Sequence, residues 1–220
     1  PDQVEGWVFG RRAFDLDAEP DYDAAAFWPR PEFEPRFRRL VQAELPLFQP
    51  ILQSILAYLG CDPHLYDRRL ERARLGLRLN YYPRCPQAER PDGLATPKAG
   101  HLGLNPHTDA GALTLLLQQA GQPGLEVHRD GAWHLVEPRD DALVINIGDI
   151  VQVWANDRYH AALHRALVRP DVERFTAAFF LNPPYSVDYA PLPSVVDTVH
   201  PARYRPINWG DFRASRTAGD

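Results

Sequence analysis

Apolar residues at Phe33, Phe37, Leu40, Val41, Phe48, Ile51, Leu52, Ile55, Leu56 and Leu59 recur at the spacing of one helix face, opposite Arg36, Arg38, Arg39 and Gln42. Glu44 is the polar exception on that stripe. Pro46 and Pro50 each delete a backbone donor and crowd the preceding turn, so the pattern predicts a helix over 33–59 that kinks or breaks in two there. Gly60 is placed to end it, and Asp62-Pro63 predicts a cap and the start of a short helix over 63–72. From Leu75 the period becomes two. Leu75, Leu77, Leu79 and Tyr81 alternate with Gly76, Arg78, Asn80 and Tyr82, which predicts a half-buried strand closed by Pro83. Strand-like runs follow at 113–118, 125–128, 133–136, 143–147, 151–154, 161–168 and 174–181, separated by turn signals such as Asp130-Gly131 and Gly148-Asp149. Many short strands at this spacing indicate an antiparallel sandwich or barrel, a mainly β fold preceded by helices.

Residues 1–32 hold neither period, and Trp7, Phe9, Phe27 and Trp28 read as packing anchors of an irregular segment. Residues 87–100 read as a surface loop. The tail, with Pro191, Pro193, Pro201 and Pro206 before Ile207-Asn208-Trp209-Gly210-Asp211-Phe212, reads as a wrap ending in a short helical turn. The expected division is an irregular and helical buttress over 1–73 and a β domain with a C-terminal wrap over 74–220.

Composition then narrows the class. A chain of 220 residues can bury a substantial core. No apolar run approaches bilayer length and no charged leader with an apolar stretch opens the chain, so the expectation is a cytoplasmic, monomeric protein away from membranes. Cys61 and Cys85 form neither a metal-binding spacing nor a disulfide framework. The net charge of −5, without a basic stripe, argues against nucleic acid as partner.

The candidate chemistry centres on His107-Thr108-Asp109. In an extended strand, residues i and i+2 share a side, so an imidazole and a carboxylate can meet at one point. One more imidazole from a neighbouring strand completes two histidines and a carboxylate, the set that holds one face of a non-haem Fe(II) and leaves the opposite positions open. His164 is the candidate, with His160 a competitor that even spacing along one strand puts on the same face. Arg174 and Thr176 repeat the i, i+2 relation, and a guanidinium fork suits a carboxylate. Asn80 and Tyr82 do the same. The choice of Tyr82 over Tyr81 turns on strand phase. Phe179 and Phe180 alternate, one for the core and one for a substrate cavity. Arg165 is expected to point away into a salt bridge, and His101, His128, His134 and His200 to be solvated or supporting.

Five segments in order, LRLNYYPRCPQ (77–87), LGLNPHTDAGALTLLLQ (102–118), GLEVHRDGAWHLVEP (124–138), LVINIGDIVQVWANDRYHAALHRAL (143–167) and RFTAAFFLNPP (174–184), resemble the iron(II)- and 2-oxoglutarate-dependent dioxygenases of the isopenicillin N synthase-like group. The resemblance implies a distorted double-stranded β-helix, a jelly roll, with His107, Asp109 and His164 as iron ligands. It further implies that Arg174 and Thr176 hold the distal carboxylate of 2-oxoglutarate, with threonine standing where the family usually has serine. Tyr82 would donate to the same carboxylate and Asn80 would lie nearer the metal, with Phe180, Phe179 and Tyr81 as candidates for the substrate pocket. The implied reaction consumes dioxygen and 2-oxoglutarate, with ascorbate as a candidate reductant. It hydroxylates, desaturates or cyclises a small organic metabolite and releases succinate and carbon dioxide. The alternatives are an oxidase of the same fold that dispenses with 2-oxoglutarate, and a cupin-like metal-binding protein without catalysis. Family members carry a further strand and helix ahead of the segment where this chain starts, so a truncated N-terminus is also expected.

Overall fold

Period-two alternation becomes strand where both faces of the chain find cover, and helical stripes become helices where one face does. The computed structural model describes residues 4–9, 28–67, 74–85 and 102–218, with the backbone alone at 7–9, 74 and 216–218. Its elements are β1 (Glu5–Phe9), α1 (Phe33–Tyr58), β2 (Arg74–Tyr82), β3 (Leu102–His107), β4 (Leu113–Gln118), β5 (Leu125–Arg129) and β6 (Ala132–Val136). They continue with β7 (Val144–Ile147), α2 (Asp149–Trp154), β8 (His164–Leu167), β9 (Arg174–Asn182), β10 (Asp188–Tyr189), β11 (Ile207–Asn208) and α3 (Trp209–Ala218). Two units emerge. One comprises Pro1–Val8, Leu77–Gln152 and Tyr159–Phe180, the other Phe9–Gly76, Val153–Arg158 and Leu181–Asp220. Trp7 and Phe9 lie on residues described by backbone only, and Phe27 and the 87–100 loop lie outside the described residues.

The first unit is the jelly roll. One sheet runs in the order β1-β2-β9-β4-β7 and the other in the order β3-β8-β5-β6. Pairing is antiparallel in β4/β7, β3/β8, β5/β6 and β5/β8. The alternation in β2 is not that of a half-buried strand. Leu77 is buried on one face, yet Asn80 and Tyr82 are buried on the other, because that polar row faces an internal cavity instead of solvent. β3 was not among the expected strand runs, and its last residue is His107, so Asp109 stands in the loop beyond it.

The run 151–154 is helical and not a strand, being the end of α2. An apolar run of this length does not distinguish the two states by periodicity. Here the loop after β3 decides. The backbone N–H of Asp149 donates to Asp109 O at 2.8 Å and that of Ile150 to Gly111 O at 3.2 Å, satisfying donors that the first helical turn leaves open. Gly148 makes the approach possible, since a Cβ there would stand 2.2 Å from Gly111 O and 2.8 Å from Asp109 O.

In the second unit, α1 passes through Pro46 and Pro50 without breaking in two. Burial of Val41, Phe48, Leu52, Ile55 and Leu56 along one face outweighs the two missing donors. Trp28 stacks on Phe37 with centroids 5.6 Å apart. After Gly60, Asp62 Oδ1 accepts the His64 N–H at 3.0 Å, and turns occupy residues 63–66 of the expected helix before helical structure is reached at Asp67. Residues 68–72 lie outside the described set. Asn156 and Asp157, both at positive φ, are held by the tail: Asn156 Nδ2 donates to Pro201 O, Arg203 N donates to Asn156 Oδ1, and Asp157 accepts from Arg203 and Tyr204. The final helix, α3, is longer than the single turn expected.

Glu44 is buried at 5% exposure within the apolar face of α1. Burial pushes its carboxyl from an ordinary 4.5 up to about 7. Folded Glu44 therefore keeps its proton over a pH range in which the unfolded chain has lost it, so its contribution to stability falls as pH rises through that range. A shift of this size corresponds to at most about 3.5 kcal/mol. Urea denaturation of wild type and Glu44→Gln from pH 4.5 to 7.5 should show the wild type losing stability relative to the variant as pH rises. Parallel curves would place the carboxyl in water.

Candidate active site

β3 and β8 lie antiparallel with His107 opposite His164, and their ring centroids are 4.3 Å apart. Asp109 follows two residues after the strand end. One ligand atom from each of the three comes within 4.8 Å of the others. Asp109 Oδ1 is 3.9 Å from His107 Nε2 and 3.8 Å from His164 Nε2, so the three converge on a single point.

Each ligand atom is oriented from behind. His107 Nδ1 lies 2.7 Å from Asn105 O, and His164 Nδ1 lies 2.9 Å from Ala162 O. A carbonyl can only accept, so each Nδ1 carries the hydrogen and each Nε2 turns its lone pair inward. Asp109 Oδ2 accepts from Thr114 Oγ1 at 2.7 Å and from Asn146 Nδ2 at 2.6 Å, which leaves Oδ1 for the point of convergence. Thr114 and Asn146 are partners in the β4/β7 ladder, so strand register places both donors on one oxygen. Sequence reasoning missed this pair. The available signal was a hydroxyl and an amide embedded in the apolar strands LTLLLQ and VINI.

His160 does not compete. It is exposed and lies four residues before β8 begins, outside the strand on which even spacing would have put it beside His164. Arg165 turns to the other face of β8, where its Nε donates to Glu126 at 2.6 Å and its guanidinium covers the Trp133 ring at 4.0 Å.

The three residues open on a cavity of about 310 Å³. Alternation on β9 presents Arg174, Thr176, Ala178 and Phe180 to it, and alternation on β2 presents Arg78, Asn80 and Tyr82. Phe179 and Tyr81 are not part of this wall. Phe179 is fully buried on the opposite face of β9, while Tyr81 stacks on Phe175 and donates to Glu173 at 3.0 Å. The strand phase that admits Tyr82 excludes Tyr81.

Arg174 is fixed by Gln122 O, 3.1 Å from Nε, and by Gln118 Oε1, 3.0 Å from one terminal nitrogen. Gln118 was also missed. The other terminal nitrogen of Arg174 is buried and has no partner. Burial draws the guanidinium below its usual pKa, opposed by the neighbouring Tyr82, whose ring centroid is 5.0 Å away. Asn80 Nδ2 donates to Thr176 Oγ1 at 3.1 Å, while Asn80 Oδ1 is buried and unpaired. Unsatisfied polar atoms in a buried wall mark a place shaped for a polar ligand.

Residues 74–183 match the sequence profile of the 2OG-Fe(II) oxygenase superfamily. The chain belongs to that superfamily. The chain is 36% identical over 186 residues to a flavonoid 7-O-demethylase of Ocimum basilicum, covering 83% of this chain and 47% of the relative. Against jasmonate-induced oxygenase 2 of Arabidopsis thaliana it is 34% identical over 189 residues, covering 83% of this chain and 48% of the relative. It spans about half the length of these curated relatives. The crystal structure of JOX2 in complex with 2OG, Fe and JA superimposes with a TM-score of 0.82 at 29% identity, covering 97% of this chain and 60% of the other. The dioxygenase for auxin oxidation of rice superimposes with a TM-score of 0.80 at 26% identity, covering 99% of this chain and 69% of the other. The superfamily's Fe(II) and 2-oxoglutarate fit the residues present: two Nε2 lone pairs and a carboxylate oxygen converge, and a buried arginine nitrogen stands unpaired in the same cavity.

Asn146→Ala removes one of the two donors that orient Asp109 while leaving all three candidate ligands in place. By analogy with other metal sites, the expected result is a loss of roughly 10- to 100-fold in Fe(II) affinity. Anaerobic titration on wild type and variant measures it; unchanged affinity would mean that Thr114 alone sets the carboxylate.

Proposed function

We propose that this oxygenase couples the decarboxylation of 2-oxoglutarate to the oxidation of a small organic metabolite, with succinate and carbon dioxide as co-products. The observation that carries the reading is the pairing, in one cavity, of a two-histidine, one-carboxylate cluster with a buried arginine short of one partner. When bound, Fe(II) would supply dioxygen activation, one oxygen atom going to succinate and the other to a hydroxylated product, or to water where desaturation or ring closure results.

His107, Asp109 and His164 would hold the metal. Arg174 and Thr176 receive the distal carboxylate of 2-oxoglutarate, the guanidinium through the nitrogen that has no protein partner and the threonine through a hydroxyl already accepting from Asn80. Tyr82 flanks the arginine and would be the phenol donor to the same carboxylate, and Asn80 keeps a buried, unpaired Oδ1 in the same wall as a hydrogen-bond acceptor. The apolar wall of Leu104, Leu116, Val127, Val144 and Phe180 excludes water and positions a carbon skeleton. Relatives are named for flavonoid demethylation and flavanone oxidation, and solved structures for jasmonate and auxin, all small ring compounds. That supports a small-molecule substrate over a macromolecule. Among the described residues, no helix is long and apolar enough to cross a membrane.

Anaerobic Fe(II) titration with 2-oxoglutarate should produce the weak visible charge-transfer band of a chelated 2-oxoacid. Arg174→Leu should need on the order of 100-fold more 2-oxoglutarate for the same band, the scale of losing a charge-assisted hydrogen-bonded pair. Iron binding with no band at any concentration would move the assignment to an oxidase that dispenses with the cosubstrate.

A further inference from the structure

Tyr82 on β2 and Arg174 on β9 come from neighbouring strands of one sheet, and each is 3% exposed, with the guanidinium 5.0 Å from the ring centroid. What they lie against in the facing sheet is backbone. There β8 carries Ala166 and Leu167 between two buried glycines. On one side Gly103 stands in an irregularity of β3, where Leu102 pairs with Leu167 and Leu104 with Ala166, so that three residues of β3 face two of β8. On the other side Gly124 O accepts from the Leu167 N–H at 2.7 Å, just ahead of the Leu125–Ala166 pair.

Neither glycine is required by its own backbone. Among the described glycines, positive φ occurs at Gly60, Gly121 and Gly131, so Gly103 and Gly124 lie outside the left-handed region. What they supply is space. A Cβ on Gly103 would stand 2.5 Å from Tyr82 Cδ1 and 2.8 Å from its Cε1, well inside the packing distance of two carbons. The ring is buried and flanked by Arg174, so it has no free end that could step aside. A Cβ on Gly124 would stand 3.2 Å from Arg174 Cδ and Nε and 3.3 Å from Cζ, a milder but still tight approach. A separate sign that this corner takes a polar ligand is the terminal nitrogen of Arg174, buried without a partner.

We propose that Gly103 and Gly124 are positioning residues for the cosubstrate: by leaving their side-chain space empty they let Tyr82 and Arg174 settle where both reach one carboxylate of the 2-oxoacid. The inference rests on the proposed function. Alanine at either position adds one methyl group and no charge, so its effect on the cosubstrate has to pass through the ring or the guanidinium.

The test is anaerobic titration with Fe(II) alone and then with 2-oxoglutarate, read through the visible band, on wild type, Gly103→Ala and Gly124→Ala. Each alanine is also placed on the background that removes its neighbour, Gly103→Ala with Tyr82→Leu and Gly124→Ala with Arg174→Leu. Gly103→Ala should need about tenfold more 2-oxoglutarate, the scale of overpacking a filled interior, and Gly124→Ala about threefold more, with Fe(II) affinity unchanged in both. With the neighbour gone, each alanine should add less than about twofold, because coupling vanishes once the contact does. A loss of the same size on both backgrounds, 2-oxoglutarate affinity unchanged in either single variant, or a parallel loss of Fe(II) affinity overturns the assignment. If Gly103→Ala fails to fold, Gly124→Ala and its pair decide; if neither alanine folds, the glycines serve the fold and the assignment falls. Wild type without a band fails the cosubstrate reading and this inference with it, whereas wild type with a band that both alanines reproduce fails this inference alone.

Discussion

The carboxylate of Asp109 is the point on which the site turns. It lies outside regular structure, yet it must aim one oxygen with the accuracy of a strand residue. Three constraints give it that accuracy. Thr114 and Asn146 hold one oxygen from below, and the first backbone N–H groups of α2 hold the loop by the carbonyls of Asp109 and Gly111. The absence of a side chain on Gly148 lets the helix come close enough to do so. The ladder of β4 with β7 and the start of α2 therefore act together as a clamp on one loop, and the two histidines need only the β3/β8 register to face it.

The period-two pattern carried most of the β unit into view. β4 matched the run 113–118 residue for residue, and the alternation in β9 separated Arg174, Thr176 and Phe180 from Phe179. What the pattern hid has identifiable physical causes. The run Ile150–Trp154, apolar except for Gln152, is too short for either period to mark it, and its helical state depends on carbonyls supplied from the loop after β3. α1 crosses two prolines because tertiary burial outweighs a local penalty that the sequence displays openly. β2 looks amphipathic toward water, whereas its polar row faces a cavity that belongs to the fold as a whole.

The same limits apply at the site. The spacing His-x-Asp and the later His-Arg were legible because each is a local string, and the rejection of His160 was not, because it depends on where β8 begins. Thr114, Asn146 and Gln118 act through pairings between strands, and no local string names a partner. Groups that touch a ligand are thus easier to read than the groups that aim them.

The two imidazoles and the carboxylate also differ in what sustains their orientation over evolutionary time. Both histidines are set by main-chain carbonyls, of Asn105 and Ala162, and no substitution at those positions deletes a carbonyl. Asp109 is set by two side chains, each a single codon change from loss. Drift in this lineage would therefore reach the carboxylate's support first, leaving a protein whose histidines still stand ready while its third donor swings free.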